Sequence, residues 1–422
     1  MGKFIIKGGT PLQGEVRIGG GKNAVLPILA ATVLYPGISY IHDCPKIVDV
    51  FTMIRILESI GCRSKWEGKT LIVDTSTASS FEVPPELVSE MRSSIILLGS
   101  ILGRFRQIKI SYPGGCSIGP RPIDLHLKAL KQMGVQIQEE HGYILCQADR
   151  LQGVKIHLDF PSVGATENIM LAAVLAKGRT MIYNPAKEPE IIDLQDFLNC
   201  MGAKITGAGS NIIVIDGVNQ LSSVEYTVIP DRIVTGTYLV AAAISGGEAL
   251  LHNVRPQHLY AVTAKLRETG CIIREENTKM HIKARGSLQG VDMIRTHPYP
   301  GFPTDMQAQM MALLTIAKGT SVISETVFES RYKHAEELMR MGAQIKLEGR
   351  TAIIQGVSRL MGATVKAEDL RGGAALILAG LCAENETTVC NSMFIERGYE
   401  HIDYDLQALG AQIIKIRDEE GR

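Results

Sequence analysis

Six times along the chain an apolar helix end runs into a glycine and then into a strand. The phrases are LESIGCRS at 57–64, LKQMGVQI at 130–137, LNCMGAKI at 198–205, LRETGCII at 266–273, LMRMGAQI at 338–345 and LQALGAQI at 406–413. Their glycines, Gly61, Gly134, Gly202, Gly270, Gly342 and Gly410, are 73, 68, 68, 72 and 68 residues apart. Each stands where a helix needs its left-handed closing residue, a conformation glycine adopts at little cost. The helix before the first is amphipathic, with Val50, Ile54, Leu57 and Ile60 at helical spacing. Polar turns such as Glu348-Gly349-Arg350 then separate two strands.

A second helix recurs in the same rhythm: KNAVLPILAATVL (22–34), MRSSIILLGSILG (91–103), GATENIMLAAVLA (164–176), DRIVTGTYLVAAA (231–243), DMQAQMMALLTIA (305–317) and DLRGGAALILAGL (369–381). These are apolar on nearly every face, which predicts burial. The repeat therefore reads strand, buried helix, strand, surface helix, strand, strand, an α/β (α+β) pattern. Six such units exceed the size of solenoid repeats and predict two globules of three units each. The boundaries fall near 20–22 and 228–231. One domain is expected at 22–229 and the other at 1–21 plus 230–422, with Lys3–Ile18 as a strand completing the second.

Composition narrows the function. Among 422 residues, 44 Lys and Arg balance 44 Asp and Glu, so a generally basic nucleic-acid coat is excluded. The apolar stretches Ile233–Ile244, Met310–Ile316 and Ala374–Leu381 are too short to span a bilayer, and no targeting segment opens the chain. The eight cysteines form no CxxC pair, which argues against a zinc ribbon or thioredoxin-type site and predicts a soluble, reducing, cytoplasmic setting; the sequence as a whole implies no metal or organic cofactor. Cys62, Cys200, Cys271 and Cys382 read as small buried apolar residues.

Chemistry gathers at the starts of the buried helices. Lys22-Asn23 opens the first, Arg92 the second, Asp231-Arg232 the fourth, Asp305 the fifth and Asp369-Leu370-Arg371 the sixth; Ser162-Val163-Gly164 leads into the third. Ser and Asp there are ordinary caps. Lys22, Arg92, Arg232 and Arg371 oppose the helix dipole, which makes sense if an anion shares the site. The Gly- and Pro-rich loop 112–122 exposes Cys116 beside Arg121, a combination that favours a reactive thiol. His297-Pro298-Tyr299-Pro300-Gly301-Phe302-Pro303 forms a rigid approach to Asp305, either to aim its carboxylate or to cap the helix. His126 and His334 show no metal spacing and read as hydrogen-bonding residues.

KNAVLPILAA, PGGCSIGPRPIDLH, SVGATENIM, EPEIIDLQDFL, PDRIVTGTYLVAAA, FPTDMQAQM, ETVFESRYKHAEELMRMGA, DLRGGAAL and ERGYEHIDYDLQALGA, in that order, resemble the UDP-N-acetylglucosamine enolpyruvyl transferases from end to end. The resemblance implies an inverse αβ barrel of six βαβαββ repeats in two domains, with an active site between them. It implies transfer of the enolpyruvyl group of phosphoenolpyruvate to the sugar 3′-hydroxyl, with release of phosphate, as the first committed step of peptidoglycan synthesis. By resemblance Lys22, Arg121 and Arg397 hold phosphate and carboxylate, Cys116 gives the proton and is the site of alkylation by fosfomycin, and Asp305 faces the attacking hydroxyl. Asn23 orients the sugar. Arg92, Glu188, Asp231, Arg331, Asp369 and Arg371 support the site. Arg121, Pro122, Ile123, Asp124 and Leu125 line the nucleotide, Ser162, Val163 and Gly164 its diphosphate, and Val327 the sugar. Gly19-Gly20-Gly21, in place of Ser-Gly-Ala, and Phe160, in place of a lysine, depart from the pattern. Shikimate-3-phosphate as acceptor, or a silent sugar-nucleotide-binding paralogue, are the alternatives.

Overall fold

The computed structural model of the protein describes residues 2–114, 122–284 and 286–417. The chain folds as two compact units, residues 20–114 with 122–229, and residues 2–19 with 230–417. Each has its own apolar core.

Among the described residues, five four-stranded sheets and one three-stranded sheet are spread over the two units. A typical sheet is built from one repeat. Lys155–His157 and Arg179–Tyr183 run parallel on either side of the helix Val163–Ala173. Ile212–Asp216 and Lys204–Thr206 then add antiparallel strands after the helix Pro189–Cys200. Met293–Arg295 with Thr320–Ser324, and Thr364–Lys366 with Glu386–Cys390, repeat the parallel pair around Gln307–Leu314 and Leu370–Cys382. The second repeat reduces its parallel edge to a single bridge, Glu82 to Lys109, and so has three strands.

Two strands that precede a buried helix pair outside that helix's repeat. Gln13–Arg17, which precedes the helix Lys22–Thr32, pairs with Glu248–His252. Glu225–Thr227, which precedes the helix Arg232–Ile244, pairs with Ile38–His42. The chain therefore passes from one unit to the other twice. The N-terminal segment is two strands rather than the single one read from the sequence. Lys3–Lys7 sits between Glu386–Cys390 and Gln412–Ile416, while Gln13–Arg17 joins another sheet.

All six repeat glycines have φ between +91° and +101°. Each closes its surface helix with the same two hydrogen bonds. In the first, Gly61 N donates to Glu58 O and Cys62 N to Leu57 O, both at 3.0 Å. In the last, Gly410 N donates to Gln407 O at 2.8 Å and Ala411 N to Leu406 O at 2.9 Å. The leucine four residues before each glycine is buried in every copy, and so is the residue after the glycine. Cys62 and Cys271 fill that position, which accounts for their burial; burial pushes the Cys62 thiol up to about 12. Cys382 is half-buried, and Cys200, at the end of its helix, is exposed, contrary to the burial read from the sequence.

The buried helices pack closely. A Cβ on Gly99 would lie 2.3 Å from Asn168 O, so glycine is what lets Leu97–Phe105 meet Val163–Ala173. Two of the six open through a tighter turn, Arg92–Ile96 and Thr304–Met306, before the α-helix begins.

Candidate active site

In the unit holding residues 230–417, Asp305 lies in the Thr304–Met306 turn. Its Oδ1 accepts from Arg331 Nη2 at 2.7 Å, and its Oδ2 from Arg371 Nη2 at 3.0 Å and Nε at 3.3 Å. Both guanidinium groups are buried, at 5% and 3% exposure, whereas the carboxylate is 24% exposed. The proline-rich approach thus leads to a carboxylate held by two buried guanidinium groups. Burial disfavours the Arg371 charge, but Asp305 and Tyr399 more than offset it and hold the pKa above the ordinary arginine value.

Asp369 and Asp231 are caps. Asp369 Oδ1 accepts from Arg371 N and Gly372 N, and Asp231 Oδ1 from Ile233 N and Val234 N, all at 2.8–2.9 Å. The Asp369 cap also fixes the backbone of Arg371, the residue that reaches Asp305. Tyr399, fully buried, accepts from Arg371 Nη1 at 3.4 Å and shares a 2.8 Å hydrogen bond with Thr237. Arg397 caps the short helix Ser392–Glu396 and is half-buried. The Arg232 guanidinium lies over the Tyr299 ring, 5.7 Å from its centre.

In the other unit Lys22 is the first residue of the helix Lys22–Thr32, behind Gly21, which offers no side-chain cap. Its ammonium is 2.7 Å from Asp49 Oδ2. Asp49 is 1% exposed and belongs to the first turn of Val48–Ser59, where the helix dipole also favours it. The anion inferred beside Lys22 thus includes a carboxylate of the protein itself. Asp49 was not singled out in the sequence, because an acidic first-turn residue reads as an ordinary dipole partner. Asn23 follows in the same helix, and Arg92 lies in the turn that opens the second buried helix.

Ser162 caps Val163–Ala173, its Oγ accepting from Ala165 N at 3.3 Å. A Cβ on Gly164 would be 3.0 Å from His126 Cε1, so this glycine admits the imidazole. Asn168 Oδ1 accepts from Gly99 N at 2.7 Å, and its Nδ2 donates to Ile95 O at 2.9 Å and to His126 Nδ1 at 2.7 Å. That pattern makes Nδ1 the acceptor and places the imidazole proton on Nε2. Pro122, Ile123 and Asp124 line an open concavity of about 650 Å³ that also includes Tyr112 and Lys128. Leu125 follows Asp124 in the helix Asp124–Gln132, and Phe160 is 44% exposed. Glu188 directly precedes the helix Pro189–Cys200. Cys116 and Arg121 lie outside the described residues.

The family described as EPSP synthase (3-phosphoshikimate 1-carboxyvinyltransferase) matches residues 6–406. UDP-N-acetylglucosamine 1-carboxyvinyltransferase 2 of Caldanaerobacter subterraneus subsp. tengcongensis is 55% identical, over 99% of this chain and 100% of its own. The chain belongs to the UDP-N-acetylglucosamine 1-carboxyvinyltransferase family. UDP-N-acetylglucosamine 1-carboxyvinyltransferase 1 of Symbiobacterium thermophilum is also 55% identical, over 98% of this chain and 95% of its own. Among solved structures, the enolpyruvyl transferase NikO from Streptomyces tendae superposes with a TM-score of 0.88 at 25% identity, covering 98% of both chains. EPSP synthase from Acinetobacter baumannii shares the fold, with a TM-score of 0.76 at 19% identity over 99% of this chain and 100% of its own. The six-repeat reading and the inverse-barrel fold of the enolpyruvyl transferases agree. Among the described residues no helix is long and apolar enough to cross a membrane.

Proposed function

We propose that this chain is a transferase that moves the enolpyruvyl group of phosphoenolpyruvate onto the 3′-hydroxyl of UDP-N-acetylglucosamine and releases phosphate. The observation that carries the reading is 55% identity, over nearly the whole length, to relatives bearing that activity in their names. The product serves peptidoglycan synthesis in the cytoplasm.

In this proposal the roles are those the family resemblance implies. A proton reaches C3 of phosphoenolpyruvate, the sugar hydroxyl attacks C2 and loses its own proton, and a tetrahedral ketal then expels phosphate and a C3 proton. Lys22, Arg121 and Arg397 hold the phosphate and carboxylate through these steps, and Asn23 and Arg92 stand beside them. Cys116 delivers the C3 proton. Asp305 receives the hydroxyl, and Arg331 and Arg371 fix the direction in which it accepts. Val327 touches the sugar, residues 121–125 the nucleotide, and Ser162, Val163 and Gly164 the diphosphate. Glu188, Asp231 and Asp369 support these groups. In this reading the Lys22 and Asp305 sets, on separate domains, act on the same pair of substrates.

The test is phosphate release from phosphoenolpyruvate, with UDP-N-acetylglucosamine and shikimate-3-phosphate supplied separately. Release with the sugar nucleotide alone is expected; release with shikimate-3-phosphate alone would overturn the acceptor, and release with neither would leave a binding protein. Fosfomycin should add one adduct, mapped by peptide mass to Cys116. An adduct on another residue would refute the thiol's role.

A further inference from the structure

We infer that Glu325, buried beneath the site and absent from the residues discussed so far, is a positioning residue that sets Asp305 through Thr304 and Arg331. The inference rests on the proposed reaction. Glu325 directly follows the strand Thr320–Ser324 and is 1% exposed. Its Oε1 accepts from Thr296 Oγ1 at 2.8 Å, Val327 N at 2.8 Å and Phe328 N at 3.2 Å. Its Oε2 accepts from Thr304 Oγ1 at 2.8 Å. One side chain thus ties together the segment that carries Val327, the start of the proline-rich approach, and the turn that carries Asp305.

The direction of the hydrogen bonds is forced. A guanidinium can only donate, so Arg331 Nη1, 2.8 Å away, gives its proton to Thr304 Oγ1. Thr304 has one proton left to give, and it goes to Glu325. Thr296 is constrained likewise: it accepts from Thr326 N at 2.8 Å and donates to Glu325. Both carboxylate oxygens must therefore be acceptors, and a protonated or amide side chain breaks the series at one end. The other arm of Arg331 holds Asp305 Oδ1, so the series ends on the carboxylate that faces the acceptor hydroxyl.

A purely structural role for Glu325 predicts something different. Glu325→Gln keeps a carbonyl oxygen for Val327 N, Phe328 N and Thr296, and turns its NH₂ toward Thr304. The Val327 segment stays held, while Thr304 faces two donors and its own proton loses its acceptor. The kcat for phosphate release should fall roughly ten- to a hundredfold, the cost of a small misplacement at a reacting group. The KM for UDP-N-acetylglucosamine should stay within roughly threefold. Thr304→Val should match the kcat loss, Thr304→Ser should restore most of it, and the Glu325→Gln/Thr304→Val double variant should be no worse than the poorer single one. Should Glu325→Gln fail to fold in a melting experiment, the two Thr304 variants carry the same test. Unchanged kcat, a loss confined to KM, or losses that multiply in the double variant would each overturn the coupling. Wild-type protein that releases no phosphate would instead overturn the functional reading and the coupling with it.

Discussion

His126 and His334 occupy the same position of the repeat in the two units, each eight residues before its turn glycine, Gly134 and Gly342. Both side chains lie against the start of the next buried helix, His126 at Gly164 and His334 at Gly372. His126 meets an asparagine there, and every polar atom of Asn168 is hydrogen-bonded. Counted from the capping residues Ser162 and Asp369, the residue equivalent to Asn168 is Ala375, which is fully buried. His334 Nε2, the ring nitrogen opposite the one that Asn168 engages in His126, has no partner among the described residues. Burial, opposed by Asp369 and reinforced by Arg331, pushes the His334 imidazole down to about 4. Equivalent backbones thus carry different chemistry: one unit builds a satisfied polar network under its helix start, and the other keeps a neutral imidazole among charges.

Asn168→Ala should abolish the contrast and have the largest effect. It removes three buried hydrogen bonds and strands Gly99 N and His126 Nδ1, a loss of roughly 3–5 kcal/mol from the unsatisfied groups. Urea denaturation checks it, and a loss below about 1 kcal/mol would mean that water replaces the amide.

Acid should sharpen the contrast. Between about pH 6.5 and 4 the unfolded chain binds a proton at His334 that the folded chain refuses, so stability falls as pH falls through that window. The direction follows because burial holds the folded-state value below the unfolded one. His258, which burial beside Arg255 and Arg232 also pushes down to about 4, contributes in the same direction. The readout is therefore the difference between wild type and His334→Gln across pH 4–7. Parallel curves would refute the assignment.

The smallest effect compares the same turn across the units. Gly61 and Gly270 have φ of +98° and +97°, yet a Cβ on Gly61 would lie 2.8 Å from Thr77 O, while one on Gly270 meets nothing within 4 Å. Gly270→Ala should cost about 1 kcal/mol for its left-handed backbone, and Gly61→Ala roughly 1–2 kcal/mol more for the contact. Equal melting shifts would show that the Thr77 segment yields.

The fold was largely legible because its repeat is written in groups with one conformational meaning. A glycine forced to positive φ, a leucine four positions before it and an all-apolar helix each restrict the backbone locally, and six copies leave few arrangements. The site was legible where a residue contradicted its local setting: Lys22 against a dipole, Asp305 after a proline-rich approach. It was hidden where a residue suited its setting. Asp49 reads as a first-turn acid, Thr304 and Glu325 as loop polar residues, and Asn168 as a helix polar residue.

The sequence by itself determined the repeat, the turn at each helix end, the burial of one helix per unit and the residue types at the helix starts, all consequences of backbone sterics and short-range periodicity. Only the tertiary structure decided that Gln13–Arg17 pairs with Glu248–His252 and Glu225–Thr227 with Ile38–His42, that Asp49 faces Lys22, that Asp305 bonds two guanidinium groups, and that His126 finds an amide where His334 finds none. Those outcomes depend on which buried donor meets which acceptor across long sequence separations. Burial makes an unmet polar group costly, but sequence spacing does not say where its partner lies.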